Sequence, residues 1–264
     1  MNVSEYFPSA DVNALGGRIV HLESVGSTND YAWRLAQDGA EHGLVVVADR
    51  QTGGRGRRGR SWLSPPGASL AFSIVLRPFL TPDAVPPLSL VTAVALLSSL
   101  QSTIPGLSVK WPNDLYCGDR KLAGILPEMK LKSRETEFVI VGIGLNVNSK
   151  AADWPPELSA TAVSMHQVTG ESFDLDEILR RFLFSFHSYY RDYCRQGLRG
   201  AVRQVLTGAS YLGGKQVTVA VNGGTIRGTA GDIDDHGRLL VYDDHGVCWP
   251  VAAGEATVVG MQMF

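Results

Sequence analysis

The chain has 264 residues, 24 Lys and Arg against 26 Asp and Glu, and 44% hydrophobic residues. That supports one large domain, or a domain plus a small one, around a core that needs no metal or disulfide staple. A formal charge of −2 gives no global pull toward DNA or an anionic membrane, so any cationic chemistry must be local.

Cys117, Cys194 and Cys248 form no Cys-x-x-Cys pair, which fits a reducing cytoplasm, and the six histidines form no ligand cluster. The first ten residues lack the basic and apolar blocks of a signal peptide. The nearly apolar run 88–97 is too short to span a bilayer.

In chain order, residues 1–18 are polar, contain Pro8 and Gly16-Gly17, and read as an irregular arm. Ser27-Thr28-Asn29-Asp30 precedes Tyr31, Ala32, Leu35 and Ala36 at helical spacing, a capping-box start to a helix ending near Gly39. Residues 44–48 and 69–76 read as buried strands on either side of a Gly/Arg-rich loop, 49–67. Residues 87–100 read as a buried helix with proline in its first turn. A strand at 107–111 is followed by a hairpin, 115–117 with 121–126, around Gly118-Asp119. Residues 137–143 form another buried strand that ends in Gly142 and Gly144. Residues 153–156 are a turn-rich connector. A long amphipathic helix then runs from an Asp174 cap to Gly197. From about Tyr211, Val217, Val219 and Val221 alternate with polar or small residues, and Asn222-Gly223 is a hairpin signal. These features predict a small all-β module that closes as a barrel.

The loop puts Arg55, Arg57, Arg58 and Arg60 among Gly53, Gly54, Gly56 and Gly59. Three readings compete. Gly54 to Gly59 matches a dinucleotide fingerprint, but Pro65-Pro66-Gly67 forbids the helix that motif must open. A solvated basic or nucleic-acid patch would need a broader basic face or aromatic platforms. The third reading is a clamp over a phosphate or carboxylate ligand. Glycines allow close backbone approach and arginines give fixed-fork, charge-assisted bonds. Four mutually repelling arginines predict a lid that is poorly ordered until an anion arrives.

Lys110-Trp111-Pro112-Asn113-Asp114 is a dense polar cluster, Lys121 stands in an otherwise apolar strand, and Asn146 and Asn148 follow two glycines. Singly, each is a common turn or edge feature. Together and in this order, with Ser27-Thr28-Asn29 and Gln51, they resemble the biotin–protein ligase family from about residue 20 to the C-terminus. The resemblance implies an α+β fold: a mixed-sheet, class II synthetase-like catalytic domain with flanking helices (20–210), preceded by an arm (1–19) and followed by an SH3-like β-barrel (211–264). It implies ATP-dependent formation of biotinyl-5′-AMP and transfer of biotin to a lysine of a biotin carboxyl carrier protein of acetyl-CoA carboxylase or a related carboxylase. Lys121, Arg55 and Arg57 would be catalytic. Ser27, Thr28, Asn29, Gln51, Gly54, Arg55, Lys121, Gly124, Gly142 and Gly144 would bind biotin, with Thr28 and Gln51 on its ureido ring. Arg57, Arg58, Arg60, Trp62 and Asn146 would bind ATP, Asn146 reading adenine. Asp114 would help hold Mg²⁺ or the nucleotide.

Ala68-Ser69-Leu70-Ala71 replaces a more usual Gly-Asn-Leu-Tyr, and Pro127 is expected to end ladder pairing where the family keeps an N–H. About 20 residues ahead of the match are too few for a helix-turn-helix, so a ligase without DNA-binding repressor function is expected. A cytoplasmic enzyme with no membrane role and edge-on carrier pairing are also expected; a homodimer is left open. Lipoate ligation by the same adenylate chemistry is the enzymatic alternative. A nucleic-acid-binding module using the arginine loop is the non-enzymatic one.

Overall fold

The computed structural model describes residues 2–4 and 15–260. The β-branched and apolar runs become strands of one mixed sheet: β1 (Asn2–Ser4), β2 (Ile19–Val25), β3 (Val45–Gln51), β4 (Ser69–Leu76), β5 (Leu107–Lys110), β6 (Asp114–Cys117), β7 (Arg120–Lys132) and β8 (Glu135–Asn146). Their order is β1-β2-β3-β4-β8-β7-β6-β5. Only β2 and β3 are parallel, because helix α1 (Thr28–Gln37) carries the chain back between them. The central strand β4 is buried at all eight positions, which matches its continuous apolar run.

Helices cover both faces. On one, Ala32 and Ala36 of α1 pack on Val46, Val75, Phe138 and Ile140. On the other lie α2 (Leu88–Leu100) and α5 (Leu175–Gln196), with Phe72 edge-on to Phe182 and Phe182, Phe186 and Tyr190 stacked in series. Each such fully buried side chain contributes about 1.5–3 kcal/mol relative to exposure. The helical stretch Pro82–Leu100 is longer than the apolar run suggested, and its length and mean hydropathy of 1.5 suit a membrane span. It is 78% buried inside the fold, and a helix apolar all round is what a core position requires. Asp174 caps α5 by accepting from the Asp176 and Glu177 amides, and Gly197 ends it at φ 64°.

After β8 come two short helices, α3 (Pro156–Ser159) and α4 (Met165–Thr169), where only a connector was expected. Helix α6 (Ala201–Ala209) was also not anticipated. Its nine residues bury Val202 and Leu206 and half-bury Val205 and Ala209, too short a pattern to stand out beside Gly200 and Gly208.

The C-terminal strands, β9 (Gln216–Val221), β10 (Gly224–Ile233), β11 (Leu239–Tyr242), β12 (Cys248–Val251) and β13 (Glu255–Val258), form an antiparallel sheet ordered β12-β11-β10-β9-β13. No ladder joins its end strands among the described residues, so the sheet curls without closing by pairing. Asn222-Gly223 turns β9 into β10 as expected, with Gly223 at φ 90°. The face of the large sheet opposite α1 and the buried residues of the small sheet form one contiguous cluster, and Trp111 Nε1 donates to Gly237 O at 2.9 Å across the junction.

Three local expectations are corrected. Asn2–Ser4 pair with residues 19–21, so the first residues are not all irregular; residues 5–14 of the arm lie outside those described. The helix at Thr28 starts where expected, yet Ser27 makes no side-chain cap bond; Gln51 Oε1 accepts from the Thr28 amide at 2.8 Å instead. Strand β7 runs through Pro127, paired with Val141. The Ile125 amide donates to Asn113 O, on the side away from β8. Two residues on, the Pro127 nitrogen faces the same side, where β6 has already ended, so no ladder bond is lost.

Candidate functional site

Cross-strand neighbours share a face of a sheet. On the α1 face, the register places Ser73 beside Gly142, Ala71 beside Gly144 and Gly124, and Ser69 beside Asn146. These small residues leave a trench in the sheet just beyond the N-terminus of α1. The signal was present as alternation: Ser69, Ala71 and Ser73 interleave with Leu70, Phe72 and Ile74. It went unnoticed because the strand reads first as a buried apolar run. A Cβ on Gly142 would strike Asn29 Oδ1, and one on Gly144 the Trp62 indole.

The arginine loop crosses this trench. Gly53 N donates to Gly26 O, Trp62 N to Gly54 O, and Gly56 N to Arg60 O. Gly54 sits so close to the Trp62 backbone that a Cβ would not fit. The tip turns at Arg58, φ 57°. The Trp62 indole lies on Gly124 and Gly144, with Lys121 Nζ 5.6 Å from the ring centroid and its own Nε1 buried without a partner. It splits the trench into two cavities of about 50 and 260 Å³, which share Gly56, Arg57, Trp62, Asn113 and Lys121 as walls.

The smaller cavity is lined by neutral polar groups at its inner end. Ser27, Thr28, Asn29 and Ser73 are buried there. Ser73 Oγ lies 2.8 Å from Thr28 Oγ1 and 2.6 Å from Asn29 Oδ1; Thr28 Oγ1 lies 3.1 Å from Gln51 Oε1. Three oxygen–oxygen contacts are thus served by two hydroxyl protons. Gln51 Oε1 also accepts from the Thr28 amide, and the hydroxyl and amide oxygens keep lone pairs that can take an N–H from a ligand. Asn29 Nδ2 is already committed to Leu126 O and Glu128 Oε2, and Gln51 Nε2 to Ser64 Oγ.

The larger cavity is charged. Arg57, Arg60, Lys110 and Lys121 line it, against Asp114 and Glu255. Lys121 Nζ stands 2.8 Å from Asp114 Oδ1, a charge contact rather than an aligned hydrogen bond. The strand's lone cation therefore has a partner, which its cross-strand neighbour β6 supplies. Lys110 Nζ donates to Tyr116 Oη at 3.0 Å, and burial pushes its pKa below the usual lysine value. Burial likewise lowers the Arg57 pKa, with Asp114 opposing, and Arg57 donates to Asn113 Oδ1 at 3.0 Å. Asn146 Nδ2 holds the Lys121 and Val163 carbonyls, leaving buried Oδ1 without a partner.

Three of the four loop arginines already face carboxylates, partners that the loop's own sequence does not contain. Arg55 binds Asp30 and Glu128; burial works against its charge, but these contacts outweigh it and raise its pKa. Arg58 and Arg60 pair with Glu255 of β13 at 3.3 and 2.7 Å. The mutual repulsion is met by carboxylates from α1, β7 and the second sheet, none of them near the loop in sequence.

Every residue singled out for biotin except Gly54 lines the smaller cavity. Of those singled out for ATP, Arg57, Arg60, Trp62 and Asn146 line the larger one with Asp114, and Arg58 lies outside it. Lys110 and Asn113, noted in the sequence only as part of the polar cluster, line the site with Glu255, and Ser73 and Glu128 bond to its lining residues. Among the described residues no three His, Cys, Asp or Glu side chains cluster as a metal cage. A larger cavity of about 810 Å³ opens on the outer side of α5 and shares no residue with the trench.

Residues 21–146 match the biotin/lipoate A/B protein ligase family, and residues 212–258 match the biotin protein ligase C-terminal domain. The bifunctional ligase/repressor BirA of Bacillus spizizenii is 36% identical over 236 residues, which are 88% of this chain and 72% of that protein. The biotin–[acetyl-CoA-carboxylase] ligase of Mycobacterium tuberculosis is 34% identical, covering 89% of this chain and 86% of that one. The structure of biotin protein ligase from Aquifex aeolicus in complex with biotin and ATP matches with a TM-score of 0.77 at 30% identity, over 90% of this chain and 97% of that one.

Proposed function

The chain belongs to the biotin protein ligase family, and from that premise we propose how its trench makes biotinyl-5′-AMP and passes biotin to a carrier lysine. It is a biotin–[acetyl-CoA-carboxylase] ligase. The observation that carries the residue assignment is the junction. A neutral, acceptor-rich cavity and a cationic cavity meet at Lys121 over a glycine floor.

Biotin's ureido ring suits the neutral end, where the oxygens of Thr28, Asn29, Ser73 and Gln51 keep lone pairs for its N–H groups. Its carboxylate then lies toward Lys121 and Arg57, and the α-phosphate enters from the other cavity. The two anions repel, so positive charge at the junction holds them in line. The carboxylate oxygen attacks the α-phosphorus and pyrophosphate leaves; Lys121 and Arg57 neutralise charge on the phosphoryl oxygens as it grows. Adenine fits beside Asn146, whose free Oδ1 accepts from its amino group. The mixed anhydride is open to hydrolysis, and the loop over the trench excludes water. The acceptor lysine attacks the acyl carbon and AMP departs. The free edge of β7 beyond β6 carries Leu126 of the trench and Glu128, which binds Asn29 and Arg55, so edge-on pairing there would deliver the carrier to the carbonyl.

Mg²⁺ suits this donor set, since it binds through one or two carboxylates together with phosphates and water. Asp114 would hold it once released from Lys121, and the ion would neutralise phosphate charge and favour pyrophosphate departure.

Lipoate suits the site less. Its apolar ring would leave the buried hydroxyls and amides of the inner cavity unpaired. The test is incubation with ATP, Mg²⁺ and biotin, with mass spectrometry for biotinyl-adenylate and for a labelled carrier. Thermal stabilisation by lipoate but not by biotin would overturn the reading.

A further inference from the structure

Glu255 is the one carboxylate that the C-terminal sheet sends into the charged cavity. It takes Arg60 at 2.7 Å and Arg58 at 3.3 Å, one arginine per oxygen, across nearly 200 residues of chain. That is how a phosphate would take them. All three side chains are 36–61% exposed, so the pairs are exchangeable rather than locked. A triphosphate in this cavity meets Arg60 and, reaching into the adjoining cleft lined by Arg58, Arg60 and Glu255, meets the second arginine, with Glu255 as a like charge.

We propose that Glu255 is a placeholder anion, a positioning residue that holds Arg58 and Arg60 until nucleotide phosphates displace it. The inference rests on the adenylate-forming reading above and adds a residue and a second domain to it. Phosphate binding then does two things at once. It orders the loop arginines on the nucleotide, and it cuts the loop's tie to the C-terminal sheet. Loss of pyrophosphate and AMP lets Glu255 retake the arginines.

Glu255→Gln keeps size and hydrogen bonding but removes the competing charge. With the full chain at saturating biotin, the KM for ATP is expected to fall about 2- to 5-fold, the scale of one exposed ion pair. The KM for biotin should stay within twofold. Amide exchange of residues 57–60 in the substrate-free protein should speed up, and Glu255→Asp should restore part of the wild-type KM for ATP. A KM for ATP that is unchanged or higher in Glu255→Gln overturns the proposal. So does a drop in thermal stability with no change in KM for ATP, which is what simple glue between the sheets would give. Wild-type protein that makes no biotinyl-adenylate sinks the underlying functional reading instead, so the two failures are distinguishable.

Discussion

The two ends of the trench are built on opposite principles. The inner end is neutral, buried and mounted on α1, β3, β4 and β8, so its groups are fixed by packing before any ligand arrives. The outer end is charged, half-exposed and mounted largely on a loop, and its cations are held by carboxylates from distant elements. Burying an unpaired polar group costs about 1–3 kcal/mol, which favours a rigid network where shape is to be read. Charges keep much of their hydration at the outer end, so they can change partners as phosphates come and go. Recognition of a neutral ring and neutralisation of anions thus call for different rigidity within one site.

The largest effect should come from the junction. Lys121→Ala removes the cation nearest both reacting groups, and adenylate formation, read as pyrophosphate–ATP exchange, should fall about 10²–10³-fold. Melting temperature should fall as well, because Asp114 Oδ1 is buried and loses its cation, so the exchange rate is compared with that of the double variant Asp114→Asn, Lys121→Ala, where no charge is stranded. Exchange near wild type would remove Lys121 from the chemistry.

Ser73→Ala should show the reverse balance. It leaves Thr28 and Asn29 short of a buried partner and should cost about 1–3 kcal/mol of stability. In a chain of this size that lowers the melting temperature by roughly 2–4 °C per kcal/mol. The KM for biotin should rise with it, while kcat falls less than in Lys121→Ala. Unchanged stability together with a large kcat loss would break the contrast between the two ends.

The smallest effect concerns pH. Burial lowers the Lys110 pKa, so this cation is lost at lower pH than an exposed lysine. Between that lowered value and the ordinary lysine value the unfolded chain binds more protons, so this residue's contribution to stability rises with pH there. The alkaline limb of kcat/KM for ATP reports the free enzyme and should include Lys110. Lys110→Arg keeps the charge and should move that limb to higher pH. An unmoved limb would place Lys110 outside phosphate binding.

Local patterns carried most of the strands, the long helix with its Asp174 cap and Gly197 stop, and the Asn222-Gly223 hairpin. They did so because periodicity, capping and turn geometry act over a few residues. Only the tertiary structure decided that Lys121 faces Asp114, that Gln51 caps α1 in place of Ser27, that Pro127 sits at an open edge, and that Glu255 holds Arg58 and Arg60. Each of these depends on strand register or on the docking of two sheets, and a contact across nearly 200 residues leaves no periodic trace in the chain that makes it.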